Sequence, residues 1–277
     1  MLEVPEVGAF LLGAPKCGTT WLAEVLTQHP EICVSDPKEP NIVASHKGTF
    51  GRDDSEPDWT EYANCFDGDG LRIDCSVHAM ACPIAPSRVA NNWPNARLII
   101  CLREPVSRTV SHWNMVLDTK EDEENGADWG DFESAWADSR LSDDTLYGAA
   151  IMRWLEHFER DSILLIEANR MRHDASTVLE EVCNHLSISS HSFDFDSVHN
   201  ANTAADRRPI TLFGRIFRFT AILLPGFIKG PIVRRLQARG VNVYKMPVLS
   251  SKAPAKRAIT DEQRALLAEG VNADLSL

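Results

Sequence analysis

Gly8-Ala9-Phe10-Leu11-Leu12-Gly13-Ala14-Pro15-Lys16-Cys17-Gly18-Thr19-Thr20-Trp21-Leu22 is the stretch whose reading decides the fold. Ala9 to Leu12 is a short, unbroken apolar run, the form taken by a strand buried on both faces of a parallel sheet. Gly13, Pro15 and Gly18 then supply turn chemistry. Beyond Gly18 the pattern becomes helical: Leu22, Val25 and Leu26 share one face, and Pro30 closes the segment. A strand, a glycine-bearing loop and a helix N-terminus in this order bind phosphate-like anions, because unpaired backbone N–H groups and the positive end of the helix dipole meet in the loop. Lys16 adds a cation there, and Thr19 and Thr20 add hydroxyl donors on the first helical turn.

The loop is not a nucleotide-triphosphatase loop of the Gly-x4-Gly-Lys-Ser/Thr kind. Gly13 and Gly18 have the required spacing, but Thr19 follows Gly18 and the lysine stands upstream at position 16. A second stretch repeats the arrangement. Arg97-Leu-Ile-Ile-Cys-Leu-Arg103-Glu104-Pro105-Val106-Ser107-Arg108-Thr-Val-Ser111 reads as an apolar strand that ends at Arg103, with a helix started by Pro105. An arginine fork and a hydroxyl suit a terminal phosphate, and the intervening turn lets Arg103 and Ser111 converge. Arg108 is compatible with pairing to an acid on its own helix. Two anion sites at strand ends place a ligand along the carboxyl edge of a parallel sheet.

Pro15-Lys16-x-Gly18-Thr19-Thr20-Trp21 resembles the 5′-phosphosulfate loop of the sulfotransferases that use 3′-phosphoadenosine 5′-phosphosulfate (PAPS). Arg103-x-Pro105-x-x-Arg108-x-x-Ser111 resembles the 3′-phosphate site of the same family. The resemblance implies an α/β fold with a central parallel sheet flanked by helices on both faces, of the P-loop nucleotide-kinase-like sulfotransferase type. It implies one sulfotransferase domain over residues 1–277. Sulfuryl transfer from PAPS to an acceptor hydroxyl is the implied activity, with PAP as product and no metal. Lys16, Cys17, Gly18, Thr19, Thr20, Arg103 and Ser111 are the implied cofactor residues, and Trp21 would border the adenine.

Other stretches extend the pattern. Asp36-Pro37-Lys38-Glu39-Pro40 is a rigid loop displaying an acid and a base; it resembles the heparan-sulfate-type sulfotransferases, in which this loop supplies a carboxylate base and a lysine. Glu39 is therefore the expected base and Lys38 an expected substrate contact. Asn41-Ile42-Val43 departs from the aromatic pair of those enzymes and leaves the acceptor type open. Leu71 to His78 reads as a buried strand with a polar exit, and His78 lies where related enzymes place a Tyr or a catalytic His; it is the second-choice base. Residues 46 to 70 read as a variable loop. The acid-rich segment from Asp118 to Asp144 reads as solvated loop and helix. Its charge disfavours a polysulfated glycan and fits a neutral or cationic acceptor. Tyr147 to Phe158 reads as a helix of core and scaffold residues, and Thr260-Asp-Glu-Gln263 as a capped helix start.

From Arg207 to Arg239 the balance reverses. Eight arginines and lysines, Arg207 and Arg208 among them, alternate with Leu, Ile and Phe and with no Asp or Glu. The stretch is compatible with a helical hairpin whose arginines face solvent, or with docking on a membrane surface or an acidic partner such as a carrier protein. Pro225 and Gly226 argue against a membrane-crossing helix. In the family the adenine and 3′-phosphate pocket closes from this side, so Arg207 and Arg208 join the expected cofactor contacts.

Composition sets the limits. The 277 residues are 44% hydrophobic and 25% charged, as in globular proteins, and a net charge of −12 disfavours nucleic acid as a partner. Seven cysteines form no C-x-x-C pair or zinc spacing. With the first strand starting within about ten residues and no signal peptide in view, a reducing cytoplasm is the expected compartment. Two rival readings stay open. An ATP-dependent kinase or other phosphotransferase on the same fold would need an acid for Mg2+, and Asp74 is the only loose candidate. A silent nucleotide-binding or carrier-docking module would bind PAPS without turnover.

Overall fold

The computed structural model describes residues 4–196, 198 and 256–276. These fall into two compact units. The larger holds the described residues up to Trp113, those from Asp128 to 198, and those from Ile259 onward. The smaller holds Asn114–Ala127 and residues 256–258.

The larger unit is built on a five-stranded parallel sheet in the order β2-β5-β1-β6-β7. Its strands are β1 (Ala9–Gly13), β2 (Ile32–Val34), β5 (Leu71–Asp74), β6 (Arg97–Leu102) and β7 (Ile163–Glu167). β1 lies at the centre, pairing Ala9 with Ile73 on one side and Phe10 with Leu98 on the other. All five of its residues are buried, as a strand covered on both faces requires. Leu11, Leu12, Ile73, Leu98, Ile99 and Ile100 are sealed from solvent, each burial worth about 1.5–3 kcal/mol. Helix α1 (Thr19–Leu26) follows β1 and buries Leu22, Val25 and Leu26. The chain leaves β1 towards β5 and β2, and β6 later fills the opposite side. The carboxyl ends of β1 and β6 thus form the switch point where ligands of open α/β sheets bind.

Residues 46 to 70 are more ordered than the sequence suggests. His46–Lys47 (β3) and Gly51–Arg52 (β4) pair antiparallel. Helix α2 (Trp59–Ala63) starts at Asp58, whose carboxylate accepts from the N–H groups of Thr60 and Glu61 at 2.9 and 3.0 Å. Helix α3 (Ala85–Asn92) precedes β6, and α4 (Pro105–Thr119) follows it. Short helices α5 (Glu121–Glu124), α6 (Phe132–Ala137) and α7 (Ser139–Ser142) carry the acidic stretch. Then come α8 (Tyr147–Leu155), β7, α9 (Arg170–His173), α10 (Ala175–Leu186) and α11 (Asp261–Asp274). The start of α11 is a full capping box between Thr260 and Gln263, as its sequence predicts. Its last residue, Asp274, accepts from the Gly148 and Ala149 N–H groups at 2.6 and 2.8 Å and so caps α8.

In the smaller unit Asn114 brackets the main chain of Arg257: its oxygen accepts from the Arg257 N–H at 2.8 Å and its amide donates to the Arg257 carbonyl at 3.0 Å. The Arg257 guanidinium meets Asp118 at 3.0 Å.

Candidate functional site

The first anion loop is set by backbone geometry. The Ala14 N–H donates to the Cys101 carbonyl at 2.8 Å, tying the exit of β1 to β6. Lys16 and Gly18 have φ of 71° and 85°, and Gly18 is the N-cap of α1 with no side chain capping it. The first-turn N–H groups of α1 are therefore free of side-chain caps, as an anion site requires. A side chain at Gly18 would meet the Met171 methyl at 2.8 Å, so the αL cap and close packing both call for glycine. Thr19 is buried, and Thr20 and Trp21 are half-buried. Cys17 faces inward: its N–H donates to the Ala14 carbonyl at 3.2 Å and its thiol lies 3.7 Å from the Tyr147 hydroxyl. Burial pushes this thiol up, against the opposing pull of Arg108.

At the end of β6, Arg103 is half-buried, and its carbonyl accepts from the Tyr147 hydroxyl at 3.2 Å. Glu104 caps α4 by accepting from the Val106 and Ser107 N–H groups at 2.9 and 2.7 Å. Ser111 is half-buried on the same helix. Arg108 does not pair with an acid of its own helix. It is fully buried, donates to the Leu141 carbonyl at 3.2 Å and to Thr145, and lies 3.9 Å from Asp144.

Lys38 and Glu39 form an ion pair at 2.6 Å, about a quarter to a third exposed. The loop bearing them is held by Ser35, which donates to the Lys38 carbonyl at 2.8 Å, and by the Asn41 N–H, which donates to Ser76 at 2.9 Å. Ser76 lies at the exit of β5, two residues before His78. Asp74 spends both oxygens inside the fold, accepting from the Tyr62 hydroxyl and the Ser76 N–H at 2.8 Å each, and burial pushes its carboxyl up. That leaves it badly placed for the Mg2+ that the phosphotransferase reading needs.

His78 sits in a 3-10 turn, Val77–Ala79, packed on the exit of β1: the Met80 N–H donates to the Leu12 carbonyl at 3.0 Å. Asp144 Oδ2 lies 3.4 Å from His78 Nδ1, 3.6 Å from His112 Nδ1 and 3.9 Å from Arg108 Nη1. Burial alone would raise the Asp144 carboxyl, but His78, His112 and Arg108 hold it well below the carboxylate range. His112 is held neutral by burial, with Arg108 adding to the effect. The sequence reading made Asp144 part of a solvated rim, and the structure corrects this. Asp144 is the buried counter-charge of the cluster, while Glu123 and Glu124 are exposed, as the solvated description expects. The Arg108/His112 spacing of one helical turn was the available signal.

Trp21 lies against Phe195, ring centroids 6.1 Å apart and 27° from parallel. Arg207, Arg208 and the whole 207–239 stretch lie outside the described residues. Among the described residues no helix is long and apolar enough to cross a membrane.

A central parallel strand that opens into an uncapped helix N-terminus, with an arginine at the end of the adjoining strand, defines an α/β protein of the open parallel-sheet class. The chain belongs to the sulfotransferase family: the family model described as "Sulfotransferase domain" matches residues 8–205. It is 23% identical over 195 residues to heparan sulfate glucosamine 3-O-sulfotransferase 3A1 of Mus musculus, covering 67% of this chain and 46% of that protein. It is 26% identical over 200 residues to bifunctional heparan sulfate N-deacetylase/N-sulfotransferase 4 of Mus musculus, covering 65% of this chain and 22% of that protein. The chain thus spans less than half the length of these relatives. The solved sulfotransferase of Alicyclobacillus acidocaldarius superposes with a TM-score of 0.58 at 22% identity, over 86% of this chain and 98% of that one, which shows the sulfotransferase fold.

Proposed function

We propose that residues 1–277 act as one PAPS-dependent sulfotransferase domain that moves a sulfuryl group to an acceptor hydroxyl. The observation that carries this reading is the joining of the loop after β1 to the end of β6 by the Ala14–Cys101 hydrogen bond and by the Tyr147 hydroxyl, which reaches both Cys17 and the Arg103 carbonyl. The free N–H groups at the start of α1, the Thr19 and Thr20 hydroxyls and Lys16 suit the 5′-phosphosulfate. Arg103 and Ser111 suit the 3′-phosphate. Bound PAPS supplies an activated sulfuryl group on a phosphate leaving group. The acceptor oxygen bonds to sulfur as the bridging S–O bond breaks, and the electron pair leaves with the 5′-phosphate of PAP. Lys16 and the α1 N-terminus stabilise that charge. Glu39 takes the acceptor proton, with Lys38 orienting its carboxylate, and positioning supplies much of the rate.

The acceptor class stays broad: a small molecule, lipid, glycoside or carrier-tethered hydroxyl. The seven described cysteines are all unpaired, which supports a reducing, cytoplasmic setting. The test is calorimetric titration with PAP and, in parallel, with ATP plus Mg2+, on wild type and Arg103→Ala. The proposal expects PAP binding that Arg103→Ala weakens by about 2 kcal/mol, the order of a charge-assisted contact. Binding of ATP alone, indifferent to Arg103, would replace this reading with the phosphotransferase.

A further inference from the structure

Around Asp144 the hydrogen-bonding roles are fixed by one residue that cannot change its own. Arg108 carries only donors. Its Nη1 lies 3.1 Å from His112 Nδ1, so that nitrogen must accept. The His112 proton then sits on Nε2, 2.9 Å from the Thr49 hydroxyl oxygen, which can accept it. Although His112 Nδ1 is 3.6 Å from Asp144 Oδ2, it has no N–H to offer the carboxylate. The neutral state that burial imposes on His112 agrees with this assignment. Asp144 Oδ2 is sealed from solvent and has no hydrogen-bond partner among the described residues. The remaining imidazole in reach is His78, with Nδ1 at 3.4 Å. A bare Nδ1 lone pair facing a carboxylate would be repulsive, so the proton belongs on Nδ1. His78 Nε2 then carries the lone pair; it is not among the buried orphan atoms and has no hydrogen bond within the described residues.

Resting on the sulfotransferase reading, we infer that Asp144 is a positioning residue. It holds the His78 imidazole with its proton on Nδ1 and leaves Nε2 as the proton-accepting nitrogen. The location suits this role. The His78 turn packs on the first residue of the anion loop: a side chain at Gly13 would meet the Val77 carbonyl at 2.6 Å. In the transfer step Nε2 gains the hydroxyl proton as the oxygen–sulfur bond forms, and the imidazolium left behind is stabilised by Asp144. The hydroxyl carries one proton, so on this inference His78 takes it in place of Glu39, whose carboxylate stays paired with Lys38. Around the cluster, Arg108 lies 3.9 Å from Asp144; His46, held neutral chiefly by burial, faces both His78 and Asp144, and Asp143 is a second acid facing Arg52 and Arg153.

The experiment is long-range proton–nitrogen NMR of the ring nitrogens in 15N-histidine protein, at a pH above the imidazole range, with His78→Gln assigning the signals. PAP is then added, followed through the Gly18 amide in uniformly labelled protein. The inference expects the Nδ1–H pattern for His78 in wild type and the Nε2–H pattern in Asp144→Ala. An Nε2–H pattern in wild type overturns it, whether or not Asp144→Ala folds. An Nδ1–H pattern that survives the loss of Asp144 overturns it as well. A Gly18 amide that ignores PAP overturns the sulfotransferase reading on a different signal from the one that reports the tautomer.

Discussion

The Tyr147 hydroxyl donates to the main-chain oxygen of Arg103 at 3.2 Å. The same hydroxyl lies 3.7 Å from the Cys17 thiol, so one side chain of α8 reaches both the loop after β1 and the end of β6. Burial pushes the Tyr147 phenol well above its ordinary range, and the group remains a donor across the working pH range. Tyr147→Phe keeps the ring and deletes the donor. The expected cost is about 1 kcal/mol in stability. PAP affinity should fall by about fivefold, the same energy read as binding. Chemical denaturation and PAP titration measure the two. Unchanged PAP affinity would mean that Arg103 is held by its strand alone.

The N-terminus of α8 depends on a residue more than a hundred positions away. Asp274 accepts from the Gly148 and Ala149 N–H groups, and the side chain before the helix provides no cap. Asp274→Ala should destabilise by about 1–2 kcal/mol, the range of a lost N-cap. Gly148→Ala should be worse than its helix propensity predicts, because the new Cβ would stand 2.4 Å from the Asp274 carbonyl. Thermal unfolding of the two variants beside Thr260→Ala separates loss of this tertiary cap from loss of the local capping box. Equal effects would place the stability of α11 at its own start.

These dependencies mark where the sequence stops being readable. The β1 loop, the strand ending at Arg103, Pro105 at the start of α4 and the Thr260 capping box are local patterns, each complete within about ten residues. All four stand in the structure where the sequence puts them. Asp144 escapes a local reading because its neighbours His78, His112 and Arg108 come from the β5 exit and from α4, while composition places an acid among acids in water. Tyr147 looked like scaffold, which it is, but its two partners at the site lie 130 and 44 residues away in sequence. The inward turn of Cys17 likewise depends on a tyrosine that no local pattern names.

Thiol chemistry should follow burial. All seven cysteines are buried and unpaired, and burial pushes the thiols of Cys17, Cys75 and Cys101 up. A thiolate is the reactive form, so native protein should react slowly with a disulfide reagent such as dithionitrobenzoate and release the full complement only when unfolded. Cys17→Ser should bind PAP within about threefold of wild type, since a contact of this kind is worth well under 1 kcal/mol net. Rapid labelling of Cys17 that PAP blocks would show the thiol turned to the ligand instead.

Acid should weaken the fold in two stages with different owners. His46 is pushed down to about 4 by burial and by Arg52, from an ordinary value of 6.5. Between those values the unfolded chain binds the proton and the folded one does not, so stability falls as pH drops from about 6.5 towards about 4. His112 is shifted in the same direction by burial and Arg108, and it extends the loss. Asp144 has the opposite chemistry and the same sign. Its folded carboxyl is depressed, so its contribution is complete above the ordinary carboxylate value of 3.8 and disappears as pH falls below it. Denaturant midpoints measured across this range should therefore decline first through the histidine window and then again below the carboxylate value. His46→Gln should make only the first decline shallower, leaving the share that belongs to His112. Asp144→Asn should remove the second, and should also lower stability at neutral pH by about 3–5 kcal/mol, because Arg108 is left buried without its counter-charge. A single decline that His46→Gln leaves intact would assign the acid sensitivity to carboxylates elsewhere.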